Sequence, residues 1–246
     1  MLPLHDENEH TRTPWLTWCL IAANALVFAY QLALPEKAWD GFLQTFALTP
    51  AALTADVAAV QSGHYPGLGS FLSLFSCMFL HGGWMHFGGN MLFLYIFGDN
   101  IEDQMRPLRF LGFYLLAGLA GSLAHVWSAP HSPLPLLGAS GAISGILGAY
   151  LVLHPGARIK TLILLFPFIR TVRIPAFIFL GIWFLTQSWQ GMASSANEHA
   201  ATSGGVAWFA HLGGFGVGVL AGLGLRLQRW VLLARRPLSR GYSNRR

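Results

Sequence analysis

Long apolar stretches, broken at intervals by charged or proline-rich segments, set the pattern of this chain. Six of them, at residues 15–34, 83–103, 110–127, 136–154, 175–190 and 205–225, approach the ~20 residues that a helix needs to cross a hydrocarbon core. The pattern predicts six transmembrane helices. An apolar run at 71–80 leads into the second stretch and reads as an outer, partly embedded approach to it, because the combined run is longer than one straight crossing requires. Another run, 161–168, is followed by Arg170, Arg173 and Pro175, which predicts a re-entrant or interfacial piece instead of a seventh crossing. Residues 35–70, rich in Ala, Gly and Pro, read as a long external loop with room for a short helix. The expected organisation is an N-terminal tail at 1–14, a six-span domain at 15–225 and a basic C-terminal tail at 226–246.

Composition agrees. With 54% hydrophobic and 10% charged residues and a mean hydropathy of +0.49, the 246-residue chain has too little polar surface to cover a soluble globule. The fold class expected is an all-α integral membrane protein. Basic residues accumulate on the cytoplasmic side of membranes. Under the six-span reading, Lys37 alone among the 15 Lys and Arg residues falls on the opposite face from the rest. Both termini are therefore expected to be cytoplasmic. The arginine-rich tail is expected to touch anionic headgroups. No nucleic-acid partner is expected, since no aromatic residues interleave with this tail as a base-stacking surface requires. The first 14 residues hold Asp6, Glu7 and Glu9 with a single basic residue, unlike a cleavable signal or targeting presequence, so a bacterial plasma (inner) membrane is expected. Cys19 and Cys77 fall in apolar stretches and read as buried free thiols.

Strongly polar groups at membrane depth are costly, so each one inside a span is a functional candidate until packing accounts for it. Four stand out: His86, Asn90, Ser140 and His211. Gly141, Gly145 and Gly148 make one smooth face of span four, and Gly214, Gly218 and Gly222 make one of span six. His211 projects from the second face and Ser140 borders the first, so packing these faces together brings serine and histidine into contact. Both lie within the first turns below the outer surface, where water has access. His86 and Asn90, four apart, are neighbours on span two. Their ring and carboxamide N–H groups are two hydrogen-bond donors of the kind a tetrahedral oxyanion needs.

Plainer readings compete with each residue. A serine in a span commonly bonds back to the carbonyl four residues earlier or packs helices, and small-xxx-small spacing alone indicates only a packed bundle. A metal site of His81, His86 and His211 lacks an acidic ligand or a His-Glu-x-x-His motif. The combination decides.

Four ordered motifs carry a resemblance: His81-Gly82-Gly83-Trp84-Met85-His86-Phe87-Gly88-Gly89-Asn90, then Gly98-Asp99-Asn100-Ile101-Glu102, then Gly138-Ala139-Ser140-Gly141, then Ala210-His211-Leu212-Gly213-Gly214 with Gly218. Together they resemble the rhomboid family of intramembrane serine proteases. The resemblance implies a six-transmembrane-helix bundle with a Ser-His dyad opening to the extracytoplasmic face. It implies Ser140 as nucleophile, His211 as general base and then acid, and His86, Asn90 and the Ser140 amide as oxyanion hole. Glu102 with Arg106 resembles the family's polar contact region at the cytoplasmic end of span two. Ser144 stands where some members carry an aromatic ring that stacks on the histidine. Lateral substrate access between spans two and five is implied as well. Phe177, Phe179, Trp183 and Phe184 make span five bulky there, with lipid-facing aromatics as the alternative.

The chemistry follows from residue type. A serine hydroxyl needs an adjacent neutral imidazole to take its proton as it attacks a carbonyl. No third carboxylate is evident in the outer halves of the spans, and no metal or cofactor is expected. Substrates are expected to be membrane proteins whose spans carry helix-destabilising small residues near the outer end. The competing reading is a catalytically silent rhomboid-like protein that binds membrane clients and controls their trafficking. A transporter would require charged mid-membrane residues or paired broken helices.

Overall fold

The computed structural model describes residues 1–8, 11–165, 168–195 and 208–234. Within them lie helices α1 (Trp15–Ala33), α2 (Glu36–Phe46), α3 (Pro50–Gln61), α4 (Gly69–Ser76), α5 (Trp84–Met105), α6 (Pro107–Ser128), α7 (Ser140–Leu153), α8 (Ala176–Ser195) and α9 (Trp208–Ala234). Strands β1 (Leu2–Asp6), β2 (Arg158–Leu165) and β3 (Phe168–Pro175) form one antiparallel sheet in that order. The protein is mostly helical. Three of the described helices, α1, α6 and α9, are long and apolar enough to cross a membrane. The apolar helices α7 and 176–189 of α8 are shorter, and α5 carries Asp99, Glu102 and Asp103 toward its C-terminal end. The expected start of the sixth span at 205–207, most of the loop before it and the arginines from 235 onward lie outside the described residues.

Helix α7 is the centre. Every residue from Gly141 to Tyr150 is buried, as suits a helix apolar on all sides. Helices α5, α6 and α9 pack around it. In a bilayer the apolar effect gives little net drive between helices, so association rests on close backbone approach. The glycines supply it. A Cβ added at Gly214 would lie 1.9 Å from the Gly141 carbonyl oxygen, one at Gly218 1.9 Å from that of Gly145, and one at Gly148 2.3 Å from that of Phe215. Helix α6 joins through Gly121, where an added Cβ would be 2.6 Å from the Ala210 carbonyl. The two glycine faces legible in the sequence do meet.

The fold is not all-α: residues 161–165 lie in β2 and Phe168 opens β3, so a strand pair stands where the sequence predicts a re-entrant or interfacial piece. Along β2, Ile159 and Thr161 are buried while Arg158 and Lys160 are exposed, the alternation of a strand with one covered face. Residues 2–6, expected within a tail, pair with this strand from Leu2 opposite Leu162 to Asp6 opposite Ile159. Asp6 is buried, accepting hydrogen bonds from Tyr150 Oη at 2.6 Å and Asn100 Nδ2 at 2.9 Å. The 35–70 stretch contains two helices, α2 and α3. The approach at 71–80 is α4 followed by a 3-10 turn, Cys77–Phe79. Cys77 is buried as expected, but Cys19 is exposed.

Candidate active site

Ser140 is the first residue of α7, at the end of a connection held by backbone bonds. Leu136 exchanges N–H to carbonyl bonds with Leu48, at 2.7 and 3.0 Å, and the Gly138 N–H donates to the Cys77 carbonyl at 2.8 Å. These bonds set the height and direction at which the chain enters α7. The first amides of a helix have no carbonyl partner within it, so Ser140 sits at the electropositive end of α7.

The Ser140 Oγ lies 2.8 Å from His211 Nε2. This contact is what the packed glycine faces produce, since Gly214 of α9 rests against Gly141, the neighbour of the serine. His211 is 5% exposed, and its other ring nitrogen, Nδ1, is buried with no hydrogen-bond partner among the described residues. Its ring instead faces the indole of Trp183, with centroids 5.9 Å apart and planes tilted by 38°. Ser144 bonds back to the Ser140 carbonyl at 2.7 Å, so α7 offers no ring to the histidine. Helix α8 does.

His86 and Asn90 approach the same segment from α5. Gly138 has φ +127°, a conformation side chains rarely adopt, and a Cβ there would lie 2.6 Å from His86 Nε2 and 3.8 Å from Asn90 Nδ2. Glycine at 138 is what lets the imidazole reach the chain two residues before Ser140. The Gly82 N–H donates to His86 Nδ1 at 3.3 Å. With Nδ1 accepting, the proton of a neutral imidazole sits on Nε2, the nitrogen facing Gly138. Asn90 Nδ2 is buried and has no partner among the described residues. Two N–H donors thus lie near Gly138, two residues before the serine. The structure puts Ser140 and His211 in contact and His86 and Asn90 beside the turn that precedes Ser140.

Other contributors escaped the sequence reading. Thr17, Asn24 and Gln31, each seven residues apart on α1, form a buried polar stripe. That spacing was a usable signal. Gln31 grips the backbone of His81, accepting from its N–H at 3.0 Å and donating to its carbonyl at 3.1 Å, which fixes the turn leading into α5. Glu102, expected to act with Arg106, instead accepts from the amides of Leu16 and Thr17 at 3.0 and 2.7 Å and from the Thr17 hydroxyl at 2.8 Å, capping α1 from another helix. Trp183 was read only as one of the bulky aromatics of span five, and the backbone bonds of Leu48 and Cys77 had no sequence signal. Of the span-five aromatics, Phe179 is buried and Phe177 is 54% exposed. Among the described residues no group of three or more His, Cys, Asp or Glu side chains could hold a metal ion.

The yeast Saccharomyces cerevisiae protein "Rhomboid protein 1, mitochondrial" is 33% identical over 214 residues, covering 84% of this chain and 52% of its own length. Arabidopsis thaliana RHOMBOID-like protein 5 is 27% identical over 56% of this chain and 51% of its own. Rhomboid protease GluP of Bacillus subtilis is 34% identical over 67% of this chain and 30% of its own. The chain spans about half the length of the first two relatives. With a mitochondrial, a plant and a bacterial protein among them, the expected bacterial plasma membrane gains no support. The sequence profile of the Rhomboid domain matches residues 68–228, from just before α4 to well into α9, a stretch that holds all four site residues. It is a membrane protein, and it belongs to the rhomboid family.

Proposed function

We propose that this chain is an intramembrane serine endopeptidase, in which Ser140 is the nucleophile and His211 the general base and then general acid. The observation that carries the reading is the 2.8 Å approach of Ser140 Oγ to His211 Nε2 at the start of a buried helix. Nε2 takes the hydroxyl proton as Oγ attacks the scissile carbonyl, and returns it to the leaving amine as the peptide bond breaks. His86 Nε2–H, Asn90 Nδ2–H and the Ser140 amide stabilise the oxyanion. Water then hydrolyses the acyl-enzyme by the same proton path in reverse order. With no partner on Nδ1 among the described residues, the imidazole is oriented by helix packing and by Trp183.

The wider reading has residues 15–225 crossing the membrane six times, with 1–14 and 226–246 on the cytoplasmic side and the site opening to the opposite face. The charge asymmetry supports it. Substrates are spans of other membrane proteins, unwound at Gly, Ala or Ser near their outer ends, because helical carbonyls are closed to attack. They reach Ser140 between α5 and α8. Phe93 closes that seam against Phe179 and Trp183, at centroid distances of 6.3 and 6.1 Å, whereas a Cβ added at Gly88 or Gly89 meets nothing within 4 Å. No observation favours a silent client-binding protein, since both members of the dyad are present and in contact.

Purified protein in liposomes with a single-span reporter tests this. His86→Ala and Asn90→Ala are each expected to slow cleavage by about 100- to 1000-fold while the protein stays folded. Unchanged rates in both would refute the oxyanion assignment.

A further inference from the structure

Away from Ser140, where α6 and α9 run side by side, two cavities meet at Arg109. One, of about 580 Å³, is walled by Gly112, Phe113 and Leu116 of α6 and by Leu220, Ala221 and Gly224 of α9; Arg109 is its only charged lining residue. The other, of about 400 Å³, is lined by Arg106, Pro107, Leu108 and Arg109. The first exists because side chains are missing: a Cβ added at Gly112 or Gly224 meets nothing within 4 Å. At Gly118, Gly121, Gly214 and Gly218 of the same helices, glycine permits close packing. Here it leaves open volume.

The charge at the end of this groove is unneutralised. Neither the Arg106 nor the Arg109 side chain makes an ion pair or hydrogen bond among the described residues. Nearby acidic groups are engaged elsewhere, Glu102 by the amides of α1 and Asp103 by the amide and hydroxyl of Thr11 at 3.0 Å. Arg226 and Arg229 follow on α9 at the same end, and Arg226 donates to the Val152 carbonyl at 3.3 Å.

We propose that the α6–α9 groove is a binding site for one anionic phospholipid of the surrounding bilayer. An acyl chain fills the apolar cavity between Gly112 and Gly224, and the phosphate meets Arg106 and Arg109. A phospholipid matches both features at once: an unbranched apolar chain for a groove that is apolar apart from Arg109, and a negative headgroup for arginines at its end. A soluble anion would leave the groove empty, and a zwitterionic lipid would leave the arginine charge unmatched.

Native mass spectrometry of the full chain in neutral detergent tests this, with dioleoylphosphatidylglycerol, dioleoylphosphatidylcholine and inorganic phosphate as probes. One phosphatidylglycerol is expected to be retained in preference to phosphatidylcholine. Arg106→Gln and Arg109→Gln, at exposed positions, are each expected to weaken retention by roughly fivefold. The double variant Gly112→Leu/Gly224→Leu fills the groove with good helix formers and is expected to abolish retention at an unchanged or raised melting temperature. Equal retention of both lipids, displacement of the lipid by inorganic phosphate, or wild-type retention by the filled variant would overturn the site. The measurement needs no proteolysis, so its failure leaves the Ser140–His211 reading untouched.

Discussion

The dyad depends on how closely two helices approach, and Gly214→Ala perturbs that with a single methyl group. Its Cβ would lie 1.9 Å from the Gly141 carbonyl oxygen, and real contacts of this kind do not fall below 3.0 Å, so α9 must retreat from α7 by about 1.1 Å. Both sides of the contact are backbone, and no flexible side chain can give way. Gly141 adjoins Ser140 and Gly214 lies one turn from His211, so the retreat falls on the 2.8 Å dyad contact and carries it beyond hydrogen-bond length. A misplacement of ~1 Å at reacting atoms costs on the order of 100-fold in rate, and the overpacking itself about 1–3 kcal/mol in stability. The assay is cleavage of the liposome reporter, with a melting curve on the same sample. Gly216→Ala is the control, the same change on the same helix with nothing within 4 Å of the new methyl. Wild-type cleavage by folded Gly214→Ala would refute the claim that the glycine faces set the dyad distance.

Three further outcomes are expected. Trp183→Ala should lower kcat by roughly three- to tenfold, with Trp183→Phe recovering most of it, because the ring packs on and orients His211; an effect on KM alone would assign it instead to the substrate seam between α5 and α8. Glu102→Gln should lower stability by about 1–3 kcal/mol, measured by thermal unfolding, while leaving kcat intact, since it weakens a charge-assisted cap on α1 remote from Ser140. Asp6 titrates with the fold: burial raises its pKa above the usual 3.8, against the bonds from Tyr150 and Asn100, which lower it. The folded protein then holds this proton more tightly than the unfolded chain, so its contribution to stability declines as pH rises from about 3.8 through the raised folded value. Asp6→Asn should flatten that part of the melting temperature against pH curve, and an unaltered slope would show that another group produces it.

The helical core and the four site residues were legible because they rest on periodicity. Glycines at every fourth position name a helix face, and a polar side chain among apolar neighbours announces itself. The sheet was hidden for the opposite reason: Thr161 to Leu165 is an apolar run in which the period of two shows only at Arg158, Ile159, Lys160 and Thr161, and β1 is short, with Pro3 and His5 offering little strand propensity. Its pairing with β2 joins residues 2–6 to 159–162, a separation that no local pattern encodes. Trp183 illustrates the same limit. Its aromatic character was plain, but that it replaces on α8 the ring absent at Ser144 depends on how α8 leans against α9. The α1 stripe of Thr17, Asn24 and Gln31 was encoded, at a heptad spacing that shows only when the three polar residues are taken together.

The most direct test of the central claim is covalent labelling of the intact protein in liposomes with a fluorophosphonate, located by peptide mass spectrometry. Attachment at Ser140, lost together with reporter cleavage in His211→Ala, is what a serine activated by the neighbouring imidazole predicts. Cleavage that persists in Ser140→Ala, or an active enzyme that carries its label on another residue, would contradict it.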